Sequence, residues 1–300
     1  MARTPETLET RIAERLDASV DPAVSAFAQA LAEDAGADAV LFYGSNLRTG
    51  SLEGVLDFYV LIPGEQRERI WPRVSYHERE HGKDTLRAKV ATMALSTFAS
   101  AASGERTDTT IWARFVQPSA LVWSKDDAAR AAVTGAIEAA GITAARLAVT
   151  LGPPGGTAEE YWRALFRATY KAEFRVEKPG RENDILSVNA GHFAGLLPLA
   201  LTAGGVSFTQ TGDRITPSLA ASERSRVLRW WKRRQRMGKP LNFARLAKAS
   251  TTFEGAARYA AWKIERHTGM PVEVTPFREK HPVLAAPGVL WSLRKHRKAK

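Results

Sequence analysis

The stretch Val40-Leu41-Phe42-Tyr43-Gly44-Ser45, followed twelve residues after Ser45 by Asp57 within Val55-Leu56-Asp57-Phe58-Tyr59-Val60-Leu61-Ile62, decides the reading of this chain. Both halves are apolar runs of strand length, rich in β-branched and aromatic residues. The first ends in Gly-Ser, a pair suited to a turn that opens a helix. There, unsatisfied backbone N–H groups and a hydroxyl can hold a phosphate. The second run carries one carboxylate, and hard cations such as Mg²⁺ take carboxylate oxygens. Each half also has a plain structural reading. Ser45 could be the N-cap of an ordinary strand-to-helix turn, and Asp57 a buried partner of one of the many arginines.

Taken together, the two halves have the layout of a nucleotidyltransferase palm. Most members of that superfamily carry a second carboxylate two residues after the first, on the same face of the strand. Here that position is Tyr59, so a metal site needs its second acid from elsewhere.

Three hundred residues, 44% of them hydrophobic, are ample for a buried core and suggest two domains. No run of about 18 uncharged apolar residues occurs, so no spanning helix is expected. The longest apolar stretch, Ala194 to Ala203, contains Pro198 and suits a buried helix or a shallow membrane contact. Arg3, Glu6 and Glu9 interrupt the N-terminus before a signal-peptide core could form. With no cysteine, disulfides, thiolate metal sites and Cys nucleophiles are excluded. A cytoplasmic location, peripheral to the inner face of the membrane, is the expectation.

The formal charge is +11 and unevenly placed. From Glu223 to Lys239 there are eight Lys/Arg against one acid, with Trp230 and Trp231 in the middle. Arg294, Lys295, Arg297, Lys298 and Lys300 crowd the tail, after Val283, Leu284, Val289, Leu290 and Trp291. Such clusters imply an anionic partner: nucleic acid, a lipid surface or a phosphorylated substrate.

Along the chain, residues 5–34 read as helix, restarted at Asp21-Pro22 and ended by Gly36. Strands follow at 39–43 and 55–62. Residues 66–81 read as charged loop or exposed helix, and 85–102 as helix or a short strand. The run from Thr110 to Trp123 reads as strand interrupted at Pro118. A helix is expected over 126–140, then a domain boundary at Gly152-Pro153-Pro154-Gly155-Gly156. Helices around 158–178, 183–202, 219–237 and 254–267 make the second half mainly α. The fold class is α+β: a nucleotidyltransferase domain over 1–150, then a mainly helical C-terminal domain over 157–300 with a basic, membrane-associating end.

A second cluster runs from Tyr161-Trp162-Arg163 through Tyr170-Lys171-Ala172-Glu173-Phe174-Arg175-Val176-Glu177. With it the chain resembles the mitochondrial-type phosphatidate cytidylyltransferases (the translocator assembly and maintenance family). The matching segments are Tyr43-Gly44-Ser45, Leu56-Asp57-Phe58, Ala113-Arg114-Phe115-Val116-Gln117-Pro118 and Tyr170-Lys171-Ala172-Glu173-Phe174-Arg175, in family order across residues 40–185. The single Asp fits this branch. Glu173 replaces the family's Asp, Gly180-Arg181-Glu182-Asn183 only loosely echoes its Lys/Asn-rich stretch, and residues 64–105 do not align. The resemblance implies condensation of CTP with phosphatidic acid to give CDP-diacylglycerol and pyrophosphate, on a peripheral membrane enzyme.

In that reaction a substrate phosphate oxygen attacks the nucleotide α-phosphate, and the catalyst positions groups and neutralises charge. Asp57 with Mg²⁺ would polarise the α-phosphate. Tyr43, Gly44 and Ser45 would hold the nucleotide phosphates, with Arg114 and Arg175 as clamps. Glu173 or Glu177, four apart on one helix face, could supply the missing metal oxygen, or could simply pair with Lys171 or Arg181. Trp162 and Tyr170 read as core aromatics.

Two rival readings remain. His77-Glu78-Arg79-Glu80-His81 matches the helical H-E-x-x-H zinc pattern. Its charged central residues and the following Gly82-Lys83 favour a solvated segment without zinc. The Arg/Trp segment 224–239 could instead bind RNA, making an RNA-binding nucleotidyltransferase or a non-catalytic nucleic-acid or lipid binder. No zinc-finger, RNP or KH pattern appears, and the lipid surface is the expected partner rather than nucleic acid.

Overall fold

The computed structural model describes residues 6–172 and 181–280. It opens with two helices, α1 (Leu8–Leu16) and α2 (Pro22–Ala35). The Asp21 carboxylate accepts from the Ala23 N–H at 2.8 Å, Pro22 takes the first helical position, and Gly36 ends the helix in the left-handed region. Strand β1 (Ala39–Tyr43) follows, then a five-residue helix α3 (Ser45–Thr49) and strand β2 (Leu56–Ile62).

Next come β3 (Arg73–His81), β4 (Asp84–Ala94), α4 (Leu95–Ala102), α5 (Thr110–Phe115) and β5 (Ser119–Ser124). These strands form one five-stranded mixed sheet in the order β3-β4-β2-β1-β5. Only β2 and β4 run parallel, and the other neighbours are antiparallel. Helix α2 covers one face, where Val24, Phe27 and Leu31 meet Val40, Phe58 and Val60. The other face, bearing Leu41, Tyr59, Leu61 and Met93, packs under α4, α5 and a long helix α6 (Asp127–Leu151). β2 is thus sandwiched, which explains its nearly unbroken apolar run.

Two expectations fail here, and a third element runs longer than expected. Residues 73–81 form an edge strand, not loop or helix. An edge strand tolerates charge because one side faces water. The β3–β4 hairpin turns on Gly82-Lys83, with Gly82 at φ 62°. His77 and His81 therefore stand about 13 Å apart along a strand, not one turn apart on a helix. His77 instead shares a 2.8 Å hydrogen bond with the Ser75 hydroxyl. Residues 110–115 are helix rather than strand, because Ile111, Trp112, Phe115 and Val116 follow helical spacing and are all buried. The helix expected over 126–140 runs on to Leu151, capped by Asp126 on the Ala129 N–H at 2.8 Å.

Helix α6 is long and apolar enough to cross a membrane, but more than half of the qualifying window is buried inside the protein. Its small residues let α1, α4, α5 and α7 (Ala158–Ala172) approach closely. Between α6 and α7 lies the Gly152–Gly156 turn and a short strand β6 (Gly156–Thr157). One apolar cluster crosses it, joining Ala148 and Val149 to Tyr161, Trp162 and Leu165.

The remaining elements are α8 (Arg181–Val188), α9 (Ala190–Phe193), α10 (Leu196–Ala203), β7 (Ser207–Thr211), β8 (Arg214–Ser218), α11 (Ala221–Thr252), α12 (Ala256–Thr268) and α13 (Pro276–Lys280). β6, β8 and β7 form a second, three-stranded sheet that the sequence reading missed. Its signal is Gly212-Asp213 between two short polar strands. Trp231 is buried, and Trp230 packs 6.0 Å from Trp112 and donates from Nε1 to the Gly104 carbonyl at 3.0 Å. Trp231 is therefore internal and Trp230 half-buried beside it, so neither projects freely from the basic segment. The Arg234 guanidinium is buried beside them, donating to the carbonyls of Gly104 and Arg106.

Candidate functional site

Strand register builds the site. Tyr43, the last residue of β1, pairs with Asp57 on β2, and Asp57 pairs with Lys89 on β4. Directly paired residues share a face, so the three side chains form a row where the apolar core gives way to solvent. Gly44 follows Tyr43 at φ 91° and caps α3 by its backbone. A Cβ at Gly44 would stand 3.0 Å from Asp57 Oδ2, so the turn and the carboxylate touch as closely as glycine allows. Ser45 is therefore the first helical residue and not the side-chain N-cap. It is exposed, with its hydroxyl 3.3 Å from Asn46 Oδ1. Asn46 is buried and donates from Nδ2 to the carbonyls of Ser51 and Glu53, each at 2.8 Å, which holds the α3–β2 loop.

Arg114 reaches this row from α5. Its Nη1 donates to the Tyr43 hydroxyl at 2.9 Å, and its guanidinium lies 5.1 Å from the Tyr43 ring and 5.8 Å from the Tyr59 ring. Tyr59, two residues after Asp57 on the same face of β2, is buried against Phe98 and Phe115 and supports Arg114 from below.

Burial pushes the Asp57 carboxyl above its usual range, against the pull of Lys89 and then Arg114. Desolvation lowers the Lys89 ammonium, opposed by Asp57 and aided by Arg114, although much of the side chain remains in solvent. Desolvation likewise raises the Tyr43 phenol, which stays protonated.

These groups line a cavity of about 390 Å³. Its far wall comes from the other half of the chain: Tyr170 on α7, Asp184, Ile185 and Val188 on α8, and Asn189. Five residues expected at the site, Tyr43, Gly44, Ser45, Asp57 and Arg114, all face this one cavity. Glu173, Arg175 and Glu177 lie outside the described residues, as does the basic tail from Val283. Trp162 is core as expected, whereas Tyr170 is half-buried at the cavity wall.

Arg48, Lys89 and Asp184 were missed. Arg48 was legible as the basic residue three after the Gly-Ser pair. Asp184 directly follows Asn183, at the end of the loosely echoed segment. Lys89 had no local signal, since only the β2–β4 pairing brings it to Asp57.

Three cationic side chains (Arg48, Lys89, Arg114) and two carboxylates (Asp57, Asp184) therefore meet in one cleft. Such a cleft suits an anionic ligand carrying several oxygens. Among the described residues no group of three His, Asp or Glu side chains gathers as a ready metal cage. One carboxylate with room beside it fits a magnesium ion that arrives on a polyphosphate, since Mg²⁺ commonly takes one or two carboxylates plus substrate phosphates. Neither a protein-family model nor a curated protein sequence matches this chain.

Proposed function

We propose that the protein is a nucleotidyltransferase that moves a cytidylyl group from CTP to phosphatidic acid or a related lipid phosphate, releasing pyrophosphate. The observation that carries this reading is the closeness of the Gly44 turn and Asp57 in a cleft lined by Arg48, Lys89 and Arg114. The turn offers backbone N–H groups, and the three cations offer charge to a triphosphate.

An oxygen of the acceptor phosphate attacks the α-phosphorus of the nucleotide. The bond from that phosphorus to the α–β bridging oxygen breaks, and the pair of electrons leaves with pyrophosphate. The acceptor is already an anion, so no strong general base is needed. Asp57, with Asp184 in the same cleft, would hold Mg²⁺, which when bound supplies Lewis-acid polarisation of the phosphoryl oxygens. Arg114, fixed on the Tyr43 hydroxyl, neutralises charge that grows on the leaving side. Lys89 sits beside Asp57 and balances the second anion as the two phosphates meet.

The lipid acceptor is favoured by the outer face of α11. Arg229, Lys232, Arg233 and Arg236 border a groove there, with Met237 exposed at its edge. A basic face with apolar residues beside it suits an anionic bilayer surface at the inner face of a membrane. Trp231 is buried and Trp230 half-buried, with its ring against Trp112 and Arg234, which weighs against base stacking by this segment. Incubating the protein with each NTP, Mg²⁺ and phosphatidic acid vesicles, while following pyrophosphate, tests the proposal. Release with CTP that requires the lipid is the expected result. Lipid-independent release, or none with any nucleotide, would refute it.

A further inference from the structure

A second cavity, of about 290 Å³, lies where α6 and α11 meet beside the end of α4, and it shares no lining residue with the Asp57 cleft. Its walls are Ala139, Ile142, Thr143 and Leu147 from α6, with Val227 and Trp230 from α11. The volume stands near the lower bound of small-molecule sites, about 300 Å³. Trp230 is a fixed wall, held by its Nε1 bond to Gly104 and by the Arg234 guanidinium 3.9 Å from its ring.

Two guanidiniums stand at this apolar pocket, Arg146 and Arg226. Both rely on a single carboxylate, Glu223, at 3.7 Å and 3.8 Å, beyond hydrogen-bond length. Arg146 Nη2 donates to the Gly204 carbonyl at 2.8 Å, but its Nε is buried with no hydrogen-bond partner. That buried N–H is turned away from the cavity, so the guanidinium meets the pocket through its terminal nitrogens. With two cations sharing one anion, the pocket has charge left for a further carboxylate, the group a guanidinium fork fits.

We infer that this cavity binds a single-chain anionic amphiphile, a fatty-acid-type carboxylate of medium chain length. Its carboxylate meets Arg146 and Arg226, and its chain lies along Ile142, Leu147, Val227 and Trp230. The apolar walls, broken only by the Ser103 and Thr143 hydroxyls, suit an alkyl chain better than a sugar or a base, and the guanidiniums offer nothing to a neutral hydrocarbon. This inference stands independently of the chemistry at Asp57.

The test is calorimetric titration of the full chain with decanoate below its micelle concentration, beside decanol and butyrate. The expected result is saturable binding at one site per chain, with decanol and butyrate each weaker by about tenfold or more, since decanol loses the contacts to both guanidiniums and butyrate most of the buried chain. Arg226 is mostly exposed, so Arg226→Ala leaves the fold in place and should weaken decanoate about threefold while leaving decanol unchanged. Ala139→Leu fills the pocket and should abolish binding of the chain. Absence of saturable decanoate binding, equal binding of decanol, or decanoate affinity unchanged in both variants would overturn the inference.

Discussion

Asp57 and Lys89 are direct partners in the parallel register of β2 and β4, although thirty-two positions separate them in the chain. The pairing places an ammonium beside a desolvated carboxylate at the floor of the main cleft. It also gives the site a property that neither residue has alone. Asp57 is kept ionisable but costly, and the surplus of positive charge around it invites an anion.

Replacing Asp57 by Asn should therefore separate function from stability. Its raised folded pKa means that the folded chain holds that proton more tightly than the unfolded chain does. Stability is lost as pH rises through the window between the two values, so ionised Asp57 is a burden at neutral pH. Asp57→Asn should raise the melting temperature at pH 7 while cutting pyrophosphate release by about 10²–10³-fold. Wild-type turnover in this variant, measured by pyrophosphate release, would remove Asp57 from the mechanism.

Gly44→Ala tests the turn. At φ 91° an L-residue is strained, and the new methyl would press on Asp57 Oδ2. A loss of about 1–3 kcal/mol in urea unfolding is expected, with nucleotide affinity falling in parallel. Unchanged stability would mean that the turn is not held in this conformation.

His192 predicts an acid-labile joint. Its Nε2 lies 2.9 Å from the Val116 carbonyl, and burial lowers its pKa to about 4. Between pH 6.5 and about 4 the unfolded chain binds a proton that the folded chain refuses, so stability falls as pH drops through that window. The loss should reach about 1–3 kcal/mol. His192→Gln keeps a donor for Val116 but cannot titrate, and its urea midpoint should change less between pH 7 and pH 5 than the wild-type midpoint.

Arg234 ties α11 to the loop before α5. Burial lowers its pKa to about 10, so it remains charged at neutral pH. Arg234→Met leaves the Arg106 carbonyl without its Arg234 donor and leaves the Gly104 carbonyl with Trp230 Nε1 alone. A destabilisation of about 2–4 kcal/mol is expected, seen as a lower urea midpoint at an unchanged slope.

Arg233 and Arg236 are exposed on the groove of α11. The double variant Arg233→Glu with Arg236→Glu should keep its melting temperature but lose co-sedimentation with anionic vesicles. Each basic residue near such a surface is worth about 1 kcal/mol, screened within about 10 Å at 0.1 M salt. Undiminished sedimentation would shift membrane contact to another surface.

What could be read from the chain was local. Asp21-Pro22 and Gly36 bound α2 because caps and left-handed glycines act within one turn of the helix end. β1 and β2 stood out because strands buried on both faces are apolar throughout, and Tyr43-Gly44-Ser45 marked the junction between strand and helix. Where local signals conflicted, the reading failed. The spacing of Ile111, Trp112, Phe115 and Val116 is helical, yet its β-favouring residues read as strand. The charged β3 reads as loop until β4 lies beside it.

Neighbouring residues alone were enough to set the α+β class, the Gly-Ser turn and the isolated carboxylate that follows it. Their company came from long-range packing. Lys89 reaches Asp57 through a parallel pairing that no local pattern encodes. Asp184 and Tyr170 face the same cleft because α7 and α8 pack across the Gly152–Gly156 turn. Trp230 and Trp231 look like surface anchors in a basic segment, yet packing against Trp112 turns them inward. The reason is the same in each case. Caps, turns and periodicity depend on neighbours in sequence, whereas strand partners and the buried side of a helix depend on distant segments that exclude water together.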